Sequence, residues 1–233
     1  MFRNTLTQKS PSNLTKRVTP VAVLAASIAL VGCGGSAEAD ITSEGRLAYA
    51  CTLTDHVLEE HGDPDSLGAF MGHEADPGAR ETATVGMLAN GSDNETFAAI
   101  GSTLVESVQL FNPEELTSGL YDIQAACEDS GISKTADVSH QGQLDYACTL
   151  THHFRQEHGL AAEWIDERAQ AGWSGFVELA SAAALVGAAN GQILAEYPEL
   201  SEAGIDLLNA LQRRDLEVID NSVEAFDSAC AEL

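Results

Sequence analysis

One stretch of this chain is written almost twice. Residues 45–62 read GRLAYACTLTDHVLEEHG and residues 142–159 read GQLDYACTLTHHFRQEHG, with twelve of eighteen positions identical at an offset of 97. Self-similarity of this kind constrains a fold more than composition does, because one supersecondary plan has to be built twice and its apolar faces buried twice. The match weakens further on but persists. Ala89-Asn90-Gly91 recurs as Ala189-Asn190-Gly191 at an offset of 100. Gly101, Leu104, Gln109 and Cys127 recur as Gly204, Leu207, Gln212 and Cys230 at an offset of 103. Two short insertions in the second copy account for the drift. The chain therefore reads as a tandem duplication whose boundary falls within Ser130–His140, where Gly131, Ser133, Lys134 and Ser139 suit a linker.

Each copy divides into four helices. The first is expected over Ser43 to His61 and over Gln141 to His158, with Gly62 and Gly159 placed for left-handed C-caps. The second is expected over Ala79–Ala89 and Ser174–Ala189, and the third over Glu95–Phe111 and Glu199–Arg213. The fourth begins at Asn112 or Asp215, both good N-caps, and ends near Cys127 or Cys230. Pro113 falls at the first helical position, where its missing N–H costs nothing. No sustained period-two run of β-branched residues suggests a sheet. Apolar residues make up 44% of the chain, enough to fill a core. The expected fold is all-α, a tandem four-helix unit with disulfides.

The first 32 residues have a different character. Residues 1–17 are polar and basic, and Val21 to Val31 form an apolar run of eleven residues broken only by Ser27. That is too short to span about 30 Å of hydrocarbon as a helix, and it fits the hydrophobic region of a signal peptide. The run ends in Leu30-Val31-Gly32-Cys33. This ending resembles the bacterial lipoprotein signal, in which a small residue precedes a cysteine that is acylated and becomes the new N-terminus. The resemblance covers residues 16–35. It implies cleavage before Cys33, a lipid anchor on that cysteine, and the membrane as a partner, since more than one acyl chain anchors stably. It implies a cell-envelope location, and the outer membrane where a cell has two, because Gly34 stands where an aspartate commonly signals inner-membrane retention. Gly34 to Asp40 then reads as a tether. The expected divisions are a signal peptide over 1–32, lipidated cysteine and tether over 33–42, first repeat over 43–130, linker over 131–140 and second repeat over 141–233.

Without the leader, seven basic and 36 acidic residues remain, a formal charge of −29. Such a surface repels phosphate backbones, so nucleic acid is not an expected partner. It suits salty surroundings, where cations screen self-repulsion.

With Cys33 taken by lipid, four cysteines remain, as two equivalent pairs. An exported protein meets an oxidising compartment, where an even count favours disulfides. Of the three pairings, only Cys51–Cys127 with Cys148–Cys230 joins the first and fourth helices of the same copy in both copies. A Cys/His metal site is the rival, but no cysteine has a CxxC partner.

Five of the seven histidines lie on the two first helices: His56, His61, His152, His153 and His158. At 100° per residue Leu47, Ala50, Cys51, Thr54, Leu58 and His61 share one face, and Tyr49, Leu53, His56 and Glu60 share the opposite one. Tyr146, Leu150, His153 and Glu157 repeat the second face. His-x-x-x-Glu sets an imidazole and a carboxylate one turn apart, able to bind a metal or each other. If the two helices face each other across a pseudo-two-fold axis, His56, Glu60, His153 and Glu157 form a four-ligand site for zinc, copper or iron. The competing reading is a local His–Glu pair or a histidine packed on the other copy. His61 and His158 stand in the last helical turn, where a partial positive charge complements the helix dipole. Met71 to Asp76 contains His73, Glu74 and Asp76, but the second copy has Gln170-Ala171-Gly172-Trp173 there, and an ordinary loop is expected.

No GxSxG, HExxH, phosphate-binding glycine loop, EF-hand loop or CxxCH occurs. The leading expectation is a non-enzymatic binding or structural lipoprotein, with no cofactor required by the sequence. The alternative is a metal-binding lipoprotein using the paired histidine helices and a divalent metal. The third reading, an enzyme with His56 or His153 as general base, lacks an assignable nucleophile or orienting carboxylate.

Overall fold

Helix follows helix wherever the chain is described, with no strand among the described residues. The computed structural model describes residues 39–61, 77–110, 112–159, 174–189 and 195–233. The signal sequence, Cys33, Gly62, the loop at 71–76 and its counterpart at 170–173 lie outside them. The helices are α1 Ser43–His61, α2 Pro77–Asn90, α3 Glu95–Leu110, α4 Pro113–Ser130, α5 His140–His158, α6 Ser174–Ala188, α7 Pro198–Arg213 and α8 Leu216–Cys230. Among the described residues no helix is long and apolar enough to cross a membrane.

Local chemistry sets the helix starts. Thr42 Oγ1 accepts from Gly45 N at 3.1 Å to open α1, and Ser139 Oγ accepts from Gly142 N at 3.2 Å to open α5. Asn94, Asn112 and Asp215 open α3, α4 and α8 in the same way. α4 runs one turn past Cys127 and stops at Gly131, which adopts φ 67°, ψ 26° and donates its N–H to the Cys127 and Glu128 carbonyls. Gly159 after α5 also has positive φ, but its ψ of −128° is not the left-handed helical cap expected there.

The first four helices pack in a closed order: α1 on α2, α2 on α3, α3 on α4 and α4 back on α1. The last four follow the same order, from α5 through α8 and back to α5. The principal helix contact between the two groups is α2 against α6. Ala182 and Ala183 of α6 are fully buried, and their small side chains let neighbouring backbones approach. Phe97, Phe154 and Phe226 are the largest side chains sealed from water. Each such burial contributes about 1.5–3 kcal/mol relative to exposure. Disulfides Cys51–Cys127 and Cys148–Cys230 tie α1 to α4 and α5 to α8, with Cα–Cα distances of 5.9 and 5.5 Å.

Two segments expected to be loose connections are docked. Ala39 and Ile41 before α1, and Ile132, Ala136 and Val138 before α5, pack against the core. Lys134 Nζ meets Asp55 Oδ2 of α1 at 2.8 Å. The sequence likeness starts earlier than residue 45: Ala39-Asp40 and Ala136-Asp137 are identical at the same offset of 97.

Candidate functional site

The site is built from the start of α1 and the start of α5. Tyr49 and Tyr146 occupy equivalent positions and stack on one another, ring centroids 3.7 Å apart and planes 6° from parallel. The ring quadrupoles do not favour so direct an overlap, so the surrounding helices impose it. Each residue is 3% exposed, and each hydroxyl is buried without a hydrogen-bond partner. Burial is the main force pushing both phenols up. For Tyr49 it is joined by Tyr146 and the charges of Glu81 and Asp137; for Tyr146, Arg46 pulls the other way while Asp40 and Glu178 push it up.

Flanking the stack are two buried carboxylates, Glu81 of α2 at 2% exposure and Glu178 of α6 at 1%. They too are 97 residues apart, and their partners obey the same offset. Arg46 of α1 donates Nη1 to Glu178 Oε1 at 2.9 Å, reaching into the other half. Gln143 of α5 donates Nε2 to Glu81 Oε1 at 2.5 Å, reaching back. Within each half a histidine adds to the same carboxylate. His153 Nδ1 lies 3.1 Å from Glu178 Oε2, and His56 Nε2 lies 3.7 Å from Glu81 Oε1. Glu178 therefore faces a permanent cation, whereas Glu81 faces a neutral amide and a more distant imidazole.

Above the stack is a cleft of about 630 Å³. Tyr49, Tyr146, Gly45 and Gly142 line it, with Ala39, Asp40, Glu44 and Ala48 from the first half and Ile132, Ser133, Thr135, Ala136, Asp137 and Asp145 near the second. Four carboxylates face it, Asp40 and Glu44 from one half and Asp137 and Asp145 from the other, and no Lys or Arg is among the described residues that line it. Asp40 Oδ1 accepts from Thr42 Oγ1 at 2.7 Å and Thr42 N at 3.0 Å, and Asp137 Oδ1 accepts from Ser139 N at 2.9 Å. Bonds from the Thr42 and Ser139 side chains, then from their amides, hold both carboxyls below the usual range, so they stay anionic. A smaller cavity of about 260 Å³ lies beside His152 and His153, roofed by residues 39–42.

Comparison with protein-family models, curated proteins and solved structures finds no match for this chain. The site is therefore read from its own geometry.

That geometry rearranges the expected metal ligands. α1 and α5 do face each other, but through the tyrosines. Glu60 and Glu157 are exposed, and His56 and His153 turn instead to the buried Glu81 and Glu178. The physical reason is burial: a carboxylate sealed from water demands donors, whereas an exposed one on the next turn is satisfied by solvent. Among the described residues no three His, Cys, Asp or Glu side chains converge as metal ligands, so His56, Glu60, His153 and Glu157 form no shared shell. His152 contacts Asp227 of α8 at 3.3 Å and Gln156 at 2.8 Å. His61 packs its ring against Gly78 at the start of α2. The residues that sequence reasoning passed over are Asp40, Asp137, Glu81 and Glu178. All four stand at the offset of 97, the signal that would have found them.

Proposed function

We propose that this chain is an exported, lipid-anchored protein of the cell envelope, formed by tandem duplication of a four-helix unit, that binds a small cationic ligand without transforming it. The leader ending at Cys33 carries the anchoring part of this reading, and the two disulfides fit an oxidising compartment. The equal packing order of the two helix groups and the matched residues of the cleft support the duplication.

The observation that carries the binding role is the cleft itself. Four carboxylates surround it with no basic side chain among them, and two tyrosines with unpartnered hydroxyls line it. The carboxylates give the cleft a negative field, and a small cation entering it is attracted to them.

Isothermal titration of detergent-solubilised full-length protein with butylamine tests this reading. Saturable binding is expected in wild type, and its loss in the Asp40→Asn/Asp137→Asn double variant. Equal heats in wild type and that variant would place the effect on the acidic surface at large and contradict a cleft site.

A further inference from the structure

The two disulfides occupy equivalent places in the two halves, yet they are not equally sealed. Cys51 of α1 and Cys127 of α4 are 0% and 1% exposed, inside the core. Cys148 of α5 and Cys230 of α8 are partly exposed and pack against the core without being enclosed by it.

Their settings in the helices differ in the same sense. α4 continues beyond Cys127 to Ser130 and is closed by Gly131, whose N–H is donated to the Cys127 and Glu128 carbonyls. The segment that follows docks on the core through Ile132, Ala136 and Val138, and Lys134 meets Asp55, one turn along α1 from Cys51. The first disulfide therefore has fixed structure on both sides of it. α8, in contrast, ends on Cys230 itself. The backbone bonds of residues 231–233 reach back three residues each, to Ser228, Ala229 and Cys230, so they hold the end of the helix to itself. Toward α5 the same end is tied by Asp227, whose Oδ1 lies 3.3 Å from His152 Nδ1 and whose Oδ2 accepts from Arg155. The His152 and Arg155 side chains are 60% and 42% exposed, and ion pairs so open to water hold weakly. Phe226, one turn before Cys230, is fully sealed, so the rest of α8 keeps its packing without the disulfide.

We propose that Cys148–Cys230 is a thiol–disulfide exchange site, opened and re-closed by a dithiol in the folded protein while Cys51–Cys127 stays shut, and that opening it frees the last turn of α8 from α5. The proposal stands on the two disulfides and is independent of the cleft and its ligand.

The chemistry is a balanced exchange. One thiolate of the dithiol attacks a sulfur of the pair: a new S–S bond forms to that sulfur, the Cys148–Cys230 bond breaks, and the other cysteine leaves as a thiolate. The second sulfur of the dithiol then attacks the mixed disulfide, closes the reductant into its own disulfide and releases the second cysteine. The two cysteines take up the two protons that the dithiol gives up, and two electrons pass from the dithiol to the pair. The oxidised form of the same reagent reverses the sequence.

What separates the two pairs is reach, because the attacking thiolate must touch sulfur. At Cys51–Cys127 it arrives only after the core opens, which takes a large part of the folding free energy. At Cys148–Cys230 it needs at most the fraying of one helix end, among the cheapest openings a protein has. The opening also has a route inward. Asp227 stands one turn from Cys230, and its partner His152 lines the smaller cavity with Asp40 and Thr42. Freeing the end of α8 loosens the hold on that wall.

The experiment treats full-length protein in detergent with dithiothreitol, without denaturant and at mildly alkaline pH. Samples are quenched over time with N-ethylmaleimide and mapped as non-reduced peptides. Cys148 and Cys230 should be alkylated at least about 100-fold faster than Cys51 and Cys127. Hydrogen exchange of the selectively reduced protein should quicken over residues 224–233 and stay unchanged over 113–131. Oxidised dithiothreitol should then restore the Cys148–Cys230 link. Resistance of both pairs until denaturant is added, or equal rates for the two, would overturn the exchange site. Selective opening with unchanged hydrogen exchange over 224–233 would overturn the release of α8.

Discussion

A glutamate sealed from water must be met by donors, and Glu81 and Glu178 are met unequally. Glu178 has Arg46 at 2.9 Å as well as His153, while Glu81 has Gln143 and, at 3.7 Å, His56. Removing the histidine should therefore have different effects at equivalent positions. The two histidine side chains are equally exposed, at 30% and 31%, so burial does not separate them. His56→Ala leaves Glu81 with the neutral Gln143 amide, whereas His153→Ala leaves Glu178 with Arg46, so the first should cost more than the second by about 1 kcal/mol. Urea unfolding midpoints at neutral pH measure the difference; an equal or larger loss for His153→Ala would refute the assignment of these partners. The histidines themselves were legible from the repeated His-x-x-x-Glu pattern, but their partners were not. Glu81 and Glu178 sit between unlike neighbours, Arg80 and Thr82 in one copy and Val177 and Leu179 in the other. The local Glu60 and Glu157 matched the helical period and so drew attention first. Helical spacing says which side chains can touch; burial, which only the tertiary fold decides, says which must.

At the scale of elements, the all-helical character and most boundaries followed from caps and apolar spacing. The central position of α1 did not. Its opposite faces, read as a cysteine face and a histidine face, are both buried over Leu47 to Leu53, because α2 and α4 cover one side and the other half of the molecule covers more. A helix covered on both sides has little amphipathic signal left to read. Helix crossings also separate glycines that look equivalent. A Cβ on Gly101 of α3 would lie 2.4 Å from the Asn90 amide nitrogen and 2.6 Å from the Gly86 carbonyl oxygen, both backbone atoms of α2. On Gly204 of α7 it would meet Val186 Cγ1 at 2.7 Å and Val186 Cβ at 3.1 Å, side-chain rather than backbone atoms. Gly101→Ala forces two helix axes apart and should cost about 3 kcal/mol, the upper part of the range for overpacking. Gly204→Ala must displace a stiff, buried valine but no backbone, and regains helix propensity of about 1 kcal/mol, so it should cost less than Gly101→Ala, about 1 kcal/mol. Thermal melts of the two variants check this ordering, and a Gly204→Ala loss equal to that of Gly101→Ala would contradict the backbone-contact explanation.

At the scale of the whole molecule, two helix groups of the same packing order meet along α2 and α6 and across the Tyr49–Tyr146 stack, with Arg46 and Gln143 crossing to the opposite glutamates. The likeness of residues 45–62 and 142–159 was legible at once, and its apolar part coincides with the stretch of helix buried on both sides. How the copies meet was less so: Asp40 and Asp137 lie in stretches that read as tether and linker, and only docking against the core turns them into the rim of a cleft. The central claim is that both tyrosines are sealed at the junction of the two halves. Burial raises both phenols, so the unfolded chain releases these protons at lower pH than the folded one. Stability should therefore hold below a pH of about 10, the ordinary phenol value, and fall as pH rises above it. The most direct measurement is an ultraviolet titration of tyrosinate in wild type and in the Tyr49→Phe/Tyr146→Phe variant, each followed together with circular dichroism. The expected result is the same tyrosinate amplitude in both proteins while the helices persist, with the extra wild-type signal arriving only as the helices melt. A larger wild-type amplitude near pH 10 in the still-folded protein would mean that these rings are open to solvent, and the junction described here would be wrong.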